Sequence, residues 1–591
     1  MTAVSGEPRQ ARRVLKRQDV GAADQLARAF EIPHAMARVL SARGYSDEGS
    51  CREFLRPAPD SLHDPFEMAG MGAAVERLAA SSRKGGRVVV FGDYDCDGVG
   101  AVAILLVVLR RLGADARPFI PHRLRDGYGL QAETIERAVA EHDPEGIVTV
   151  DCGITALEPI TWATGRGLWV VVTDHHLPAM ALPNGAVLVD PKLPGCRYPF
   201  KELCGAGIAW KVAEALLVSE GERVGIGERE RHAWLGSLAK LAAVSTVADM
   251  VPLIGENRVL TSWGLTGLAD PRSPGLAALM RRASIPAGRP PTTAEVAFRI
   301  APRLNAAGRI DHAYAALELL TTTERDRAEE LASNLERANL ERREIQERVV
   351  DAVRRRLETS FDPVRDALVA EAGTPGEGWH RGVLGIAASK VAAEVRRPVL
   401  LVSLGEETAA GSARSWGTTP LFERLAPVAR RHATHFGGHA KALGLTLPAG
   451  SWGAFREEAR AHFAFERHDE EWVETFEVDA DLAPGELDGT LAKALEAMEP
   501  HGIGNPRPAF LLKGLRWDGR GRPVGEKGLR VSFSSPPSPP SPSVTLDAVG
   551  WKLAERPRSG REGTYDVVAN VTTDPFTRRP SLTVLMLERS A

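Results

Sequence analysis

Three apolar runs in this chain each end abruptly in acid. RVVVFGDYDCDG (87–98), GIVTVDCGI (146–154) and LWVVVTDHHLP (168–178) all place a short β-branched or aromatic stretch directly ahead of an aspartate. Runs that are apolar on both faces belong to strands buried inside a parallel sheet. GVGAVAILLVVLRRLG (98–113) follows the first run as an apolar helix. Strands alternating with helices predict an α/β fold with a doubly wound parallel sheet. Ligands of such sheets gather at the carboxyl ends of the strands, and each acidic cluster falls at such an end.

Asp93, Asp95 and Asp97 stand at alternate positions of one loop. Three carboxylates so close repel one another unless a cation neutralises them, and oxygen donors suit Mg²⁺ and Mn²⁺. A calcium EF-hand is a poor alternative, because a strand precedes the loop and the twelfth position from Asp95 is Leu106 rather than Glu. Asp151 taken alone is as readily a helix cap as a ligand. Asp174-His175-His176, with Pro178 turning the chain, offers carboxylate and imidazole together at a third strand end. Asp249 in VSTVADMVPL follows a further apolar stretch. Carboxylates and imidazoles on four loops match a two-metal site for in-line displacement at phosphorus.

These motifs, in the order GDYDCDG, VDCGI, TDHH and VADMVP, resemble the signature of the DHH phosphoesterase superfamily. PHRLRDGYGL (121–130), RIAPRLNAAGRID (299–311), HRGVLGIAASK (380–390), GSARS (411–415), HFGGHAKALG (435–444) and PHGIGNPRP (500–508) resemble its RecJ-type branch of single-strand-specific exonucleases. The resemblance implies a 5′→3′ exonuclease that releases 5′-mononucleotides in DNA repair and recombination, with two divalent ions, Mn²⁺ or Mg²⁺, as cofactors. It assigns one metal each to Asp95 and Asp97, a bridging role to Asp151, and completion of the second site to His175 and Asp249. His176 would lie against the metals or the scissile phosphate, and Asp93 would be an outer ligand. Phe91 stands where some relatives carry a His ligand, which implies a weaker first site.

The resemblance also implies a substrate-binding lobe. Gly437, Gly438 and His439 would bring backbone N–H groups and an imidazole close to phosphate. Ser389, Lys390 and Arg414 would donate to phosphate, although Lys390 replaces an Arg common in relatives. Arg303, Asn305 and Arg309 would reach the cleft from the first lobe, and Arg123 and Tyr128 would meet the 5′ end or stack on a base. Trp517, Arg520, Arg522 and Arg530 are candidate contacts on a terminal OB-like barrel, a fold that commonly binds single strands.

A chain of 591 residues exceeds one core. The expected order is an N-terminal helical region (1–84), a DHH catalytic domain (85–323), a connector helix (324–360), a smaller α/β DHH-associated domain (361–468) and the barrel (469–591). A Pro/Ser-rich run at 532–544 is expected to be a loop without regular structure. Lys plus Arg number 74 against 77 Asp plus Glu, so any strand-binding surface is a local basic channel rather than a property of the whole chain. Five Cys (Cys51, Cys96, Cys152, Cys196, Cys204) without a CxxC pair exclude a zinc ribbon or disulfide framework. No run approaches the roughly 20 apolar residues of a membrane span, and the expectation is a cytoplasmic monomer acting on single-stranded DNA. A single-strand-binding protein and a RecQ-type helicase are the expected protein partners. Two alternatives stay open: a DHH-family oligonuclease or cyclic-dinucleotide phosphodiesterase, and a non-catalytic DNA-binding scaffold.

Overall fold

The apolar runs become strands because each can bury both faces. In the computed structural model, Arg87–Gly92, Gly146–Val150 and Trp169–Thr173 join Asp115–Phe119 and Val187–Val189 in a five-stranded, wholly parallel sheet. Residues 11–590 are described, apart from 124, 128, 526–527, 537–542, 552, 554–560 and 575–576. They fall into two units, one built on Leu62–Trp472 and the other on Arg9–Ser61 with Val473–Ala591.

The spatial order of the parallel sheet is Asp115–Phe119, Arg87–Gly92, Gly146–Val150, Trp169–Thr173, Val187–Val189. Winding therefore reverses between the Arg87 and Gly146 strands, which leaves a crevice beyond their carboxyl ends. Asp93 follows one of these strands and Asp151 the other. The apolar helix Cys96–Leu112 is buried along nearly its whole length, packed on the helices Gly205–Glu220 and Glu228–Ala248.

The helix Arg325–Ser360 has 36 residues, about 54 Å at 1.5 Å per residue. Its first half (Ala328, Leu331, Ala332, Leu335) belongs to the core under the parallel sheet. Its second half (Ile345, Val349, Val350, Val353) belongs to a separate core with Trp379, Leu384 and Val391. One helix is thus rooted in both lobes. The second lobe carries a mixed sheet in the order His435–His439, Ala442–Pro448, Thr408–Arg414, Val399–Leu404, Val369–Gly373.

In the other unit, Ala509–Asp518, Glu562–Thr573, Pro580–Arg589, Thr545–Trp551 and Gly528–Ser534 pair in that order. Arg516↔Ser534 and Trp517↔Phe533 close the ring. The one parallel pairing in the ring, Thr545–Trp551 with Pro580–Arg589, gives the barrel an OB-fold topology. Of the Pro/Ser-rich run, Ser532–Ser534 complete a strand, and 537–542 lie outside the described residues.

The expectation of an all-helical N-terminal region is corrected. Arg12–Leu15 is a strand, parallel to Thr475–Val478. Leu26, Met36, Leu40 and Phe54 share one core with the barrel residues Phe510, Leu512 and Phe533. The helix Met71–Arg83 instead packs in the core under the parallel sheet. Arg43 holds the N-terminal helices in place, bonding Asp479 through Nε and Nη2 at 3.0 and 2.9 Å, Asn505 Oδ1 at 2.7 Å and the Pro506 carbonyl at 2.8 Å. Asn505 in turn donates to the carbonyls of Met498 and Pro500, so PHGIGNPRP acts as a structural clasp. Among the described residues no helix is long and apolar enough to cross a membrane.

Both Arg43 and Asp479 are more than nine-tenths buried, and removing Arg43 leaves the Asp479 charge with Lys16 alone, at 3.4 Å. Arg43→Ala should destabilise this unit by about 3–5 kcal/mol, read as a lower urea midpoint for the barrel transition.

Candidate metal centre and phosphate cleft

The acidic loops are fixed by backbone N–H groups before any ligand arrives. Asp95 Oδ1 accepts from the N–H of Asp97 and of Gly98 at 2.9 and 3.1 Å, capping the helix that it opens. The Asp97 carboxylate accepts from Gly205 and Ala206 N–H at 2.7 and 2.9 Å, at the positive end of a second helix. Asn305 Oδ1 accepts from Cys96 N–H at 2.9 Å, and Ser245 Oγ donates to the Cys96 carbonyl at 3.1 Å.

Asp151 has φ +58°, a left-handed conformation that costs a non-glycine residue about 1–3 kcal/mol. The surroundings enforce it. Its N–H donates to the Thr173 carbonyl at 3.0 Å. Gly205 packs so close that a Cβ there would meet Asp151 Cβ at 2.5 Å.

Side chains from the four loops converge. Ligand atoms of Asp93, Asp95 and Asp151 lie within 4.8 Å of one another, as do those of Asp97, His175 and Asp249, and those of Asp151, His175 and His176. His175 Nε2 stands 3.1 Å from Asp151, 3.8 Å from Asp249 and 4.0 Å from Asp97. Asp151 and His175 thus link the groups. Asp174 plays another part. Its Oδ1 accepts from the N–H of His175 and His176 at 2.8 and 3.1 Å and bonds His176 Nδ1 at 2.7 Å. A carboxylate only accepts, so Nδ1 carries the proton.

The electrostatics describe a site short of positive charge. Burial, then Asp95, pushes Asp93 up to about 7. Burial and Asp95 push Asp97 up to about 6. Burial, Asp97 and Asp95 push Asp249 up to about 9, and burial with Asp97 drives Asp151 well up. Burial lowers His175 to about 3, which keeps it neutral, as a metal-ligating imidazole must be. Burial also opposes charge on His176, but the bond to Asp174 prevails and raises it to about 9. Carboxylates that resist ionisation together, with neutral imidazole beside them, are the donor set that Mn²⁺ or Mg²⁺ fits.

A fourth strand end repeats the opening pattern. Val187–Val189 runs into Asp190, which is fully buried. Asp190 Oδ1 accepts from Lys192 N–H at 2.7 Å, and Lys192 Nζ donates to the His175 carbonyl at 2.7 Å. AVLVDP (186–191) carries this signal in the sequence.

Opposite the acids, arginines gather. The Arg123 guanidinium lies 4.8 Å from the centre of the Tyr94 ring. Arg309 Nη1 donates to the Gly382 carbonyl of the second lobe at 3.2 Å. Burial lowers Arg309 to about 9, helped by Arg123, Arg342 and Arg414. Arg414 shares a lateral row of the second sheet with Ala442 and His439, and burial, then Arg414, lowers His439.

Other expected contacts are corrected. Arg303 is paired with Glu336, and Lys390 with Glu347, both on the long helix, so neither is a free phosphate donor. Ser389 Oγ donates to Gly385 of its own helix. Asn305 spends its Oδ1 on the acidic loop. Gly437 and Gly438 lie in an edge strand, paired with Gly444 and Leu443, not in a loop. Trp517 is sealed inside the barrel beside Phe533 and Tyr565, its Nε1 donating to the Arg520 carbonyl, so it is no stacking platform. Arg530 pairs with Asp574 at 2.9 Å, while Arg520 and Arg522 are exposed. Tyr128 lies outside the described residues.

Known proteins bear on this geometry. Family models for the DHH family N-terminal domain, the DHHA1 domain and the RecJ OB domain match residues 87–244, 366–464 and 478–588. The single-stranded-DNA-specific exonuclease RecJ of Escherichia coli is 33% identical over 521 residues, 85% of this chain and 86% of that protein. The chain belongs to the RecJ family. The RecJ of Bacillus subtilis is 34% identical over 545 residues, covering 92% of this chain, which spans 66% of that longer relative. The crystal structure of RecJ from Thermus thermophilus in complex with Mn²⁺ superposes with a TM-score of 0.80 at 29% identity, over 98% of this chain and 80% of that one. The Mg²⁺ complex from the same organism gives 0.74 at 27%.

Carboxyls whose folded pKa is raised bind more protons folded than unfolded, so their contribution to stability falls as pH rises through the folded values. Metal-free protein should therefore lose thermal stability from about pH 4, the ordinary carboxylate value, up to pH 9, with the contributions of Asp97, Asp93 and Asp249 exhausted in turn at about 6, 7 and 9. Mn²⁺ should reverse that loss. Asp249→Asn should raise the metal-free Tm at pH 8, by about 2 °C per kcal/mol of repulsion relieved, and weaken the Mn²⁺-induced shift.

Proposed function

We propose that this chain is a metal-dependent exonuclease that degrades single-stranded DNA from its 5′ end and releases 5′-mononucleotides in DNA repair and recombination. The observation that carries the reading is the convergence of an all-carboxylate group, Asp93, Asp95 and Asp151, and an acid-and-imidazole group, Asp97, His175 and Asp249, joined through Asp151 and His175, beside the arginines of the cleft. Asp93, Asp95 and Asp151 would hold one divalent ion. Asp97, His175 and Asp249 would hold the other, with Asp151 within reach of both. When bound, the ions, Mn²⁺ or Mg²⁺, neutralise phosphate charge and lower the pKa of water.

The chain's own groups do the rest. Arg123, Arg309, Arg414 and His439 hold phosphate. Gly205 and Ala206 N–H fix the Asp97 carboxylate, so it cannot turn away from the site. Asp174 fixes the His176 tautomer, leaving Nε2 as the nitrogen that passes a proton to the leaving 3′-oxygen. The division of labour follows the expected domains: catalysis in 85–323, the connector at 324–360, substrate holding in 361–468, and strand capture by the barrel in 469–591. The setting would be the cytoplasm, as a monomer, with a single-strand-binding protein and a RecQ-type helicase supplying unwound ends.

Single strands labelled at either end, incubated with Mn²⁺ or Mg²⁺, test this directly. The 5′ label should appear at once as a mononucleotide, while the 3′ label persists in a shortening ladder and blunt duplex resists. Asp151→Ala should lower the rate at least a thousandfold without unfolding the protein. Turnover confined to dinucleotides would favour the oligonuclease alternative.

A further inference from the structure

The peptide that joins His175 to His176 is gripped at both ends. The His176 N–H donates to Asp174 Oδ1 at 3.1 Å, and the His175 carbonyl accepts from Lys192 Nζ at 2.7 Å. A peptide unit is planar and turns as one body. These two bonds therefore set the direction in which both imidazoles leave the backbone. Residues 174–179 form no helix or strand of their own, so nothing regular in the loop does this instead.

Sheet register brings Lys192 to this place. Trp169–Thr173 and Val187–Val189 are neighbouring parallel strands, with Thr173 beside Val189, and the Asp174 N–H donates to the Val189 carbonyl at 3.1 Å. The chain thus leaves the sheet twice at adjacent points, once as TDHH and once as VDPK. Asp190, fully buried, turns the second of these back. Its Oδ1 accepts from Lys192 N–H at 2.7 Å and its carbonyl from Leu193 N–H at 3.2 Å. Pro191 between them stiffens the turn. Lys192 is left half-buried with its ammonium on the His175 carbonyl, and a charged donor makes a bond roughly twice as strong as a neutral one.

We propose that Lys192 is a positioning residue of the metal centre, holding the His175–His176 peptide from behind so that both imidazoles are aimed before a cation arrives. The role rests on the metal-dependent reading above and adds no ligand, because Lys192 touches the backbone of His175 and not its ring. Taken alone, an ammonium repels a cation. The carboxylates of Asp93, Asp95, Asp97, Asp151 and Asp249 outweigh that repulsion, so the grip on the peptide decides metal affinity.

Metal-stripped, full-length protein titrated calorimetrically with Mn²⁺ alone provides the test, alongside turnover of a 5′-labelled single strand across a range of Mn²⁺ and salt. Lys192→Met keeps the apolar stem but neither the charge nor the donor. It should weaken Mn²⁺ binding, and raise the Mn²⁺ needed for half-maximal turnover, about tenfold, the lower end for losing a partner that stands behind a ligand. At saturating Mn²⁺ the KM for the strand and the salt slope of kcat/KM should match wild type, because no phosphate contact is lost. Lys192→Arg keeps charge and donor and should recover most of the Mn²⁺ affinity. Arg197→Gln removes a charge from an exposed position of the same loop and should leave Mn²⁺ binding unchanged. Unchanged or tighter Mn²⁺ binding by Lys192→Met overturns the proposal, as does a raised KM for the strand with metal affinity intact. Equal losses in the Met and Arg variants, or a fall in metal-free Tm that accounts for the weaker binding, mark a packing role and overturn it too. Wild-type protein that shows the Lys192 dependence of Mn²⁺ binding yet cleaves no single strand would overturn the nuclease reading alone.

Discussion

Like charges crowded out of water govern this molecule. Asp93 and Asp151 follow buried strands, Asp97 stands in the first turn of the helix Cys96–Leu112 and Asp249 ends the helix Glu228–Ala248; they are pressed together, and burial and repulsion both oppose their ionisation. Left to themselves such groups would swing into solvent. They cannot, because hydrogen bonds hold their loops from behind: Gly205 and Ala206 N–H donate to the Asp97 carboxylate, the Asp151 N–H donates to the Thr173 carbonyl, and Asn305 Oδ1 accepts from Cys96 N–H in the first loop. The backbone scaffold thus absorbs a cost that is recovered only when cations enter, which makes the centre a device for concentrating divalent charge beside a phosphate.

The architecture serves that centre in two ways. The reversal of winding between the Arg87 and Gly146 strands opens the crevice in which Asp93 and Asp151 meet. The 36-residue helix then carries the chain from this core to the next, and Arg309, Gly382 and Arg414 close toward the crevice from both lobes. Negative and positive walls within one unit suit a reaction in which a polyanion must approach carboxylates. Cations screen the strand from one wall while arginines attract it to the other.

The strands and their acids were legible in the sequence because each signal is local. An apolar run that ends in Asp needs no distant information, and the stripe of the long helix is a period of 3.6 read directly. Asp190 carried the same mark without a second motif beside it to draw notice. Pairing partners far along the chain were not legible. Nothing near Lys390 announces Glu347, and nothing near Arg303 announces Glu336. HFGGH has the composition of a loop, yet a neighbouring strand recruits it into an edge by backbone bonds indifferent to side chains. Trp517 was legible after all: in LLKGLRWD it alternates with Arg516 and shares the inward side with Leu515, so its parity, rather than its aromaticity, decides where it points.

The joining of Arg9–Ser61 to Val473–Ala591 has a consequence for biosynthesis. Leu26, Met36, Leu40 and Phe54 leave the ribosome first, but their partners Phe510, Leu512 and Phe533 come some hundreds of residues later. At roughly 5–20 residues per second, the N-terminal helices wait on the order of a minute with a greasy face uncovered while the whole catalytic lobe is translated and collapses. Vectorial synthesis therefore makes an early segment wait for a late one before its core can close.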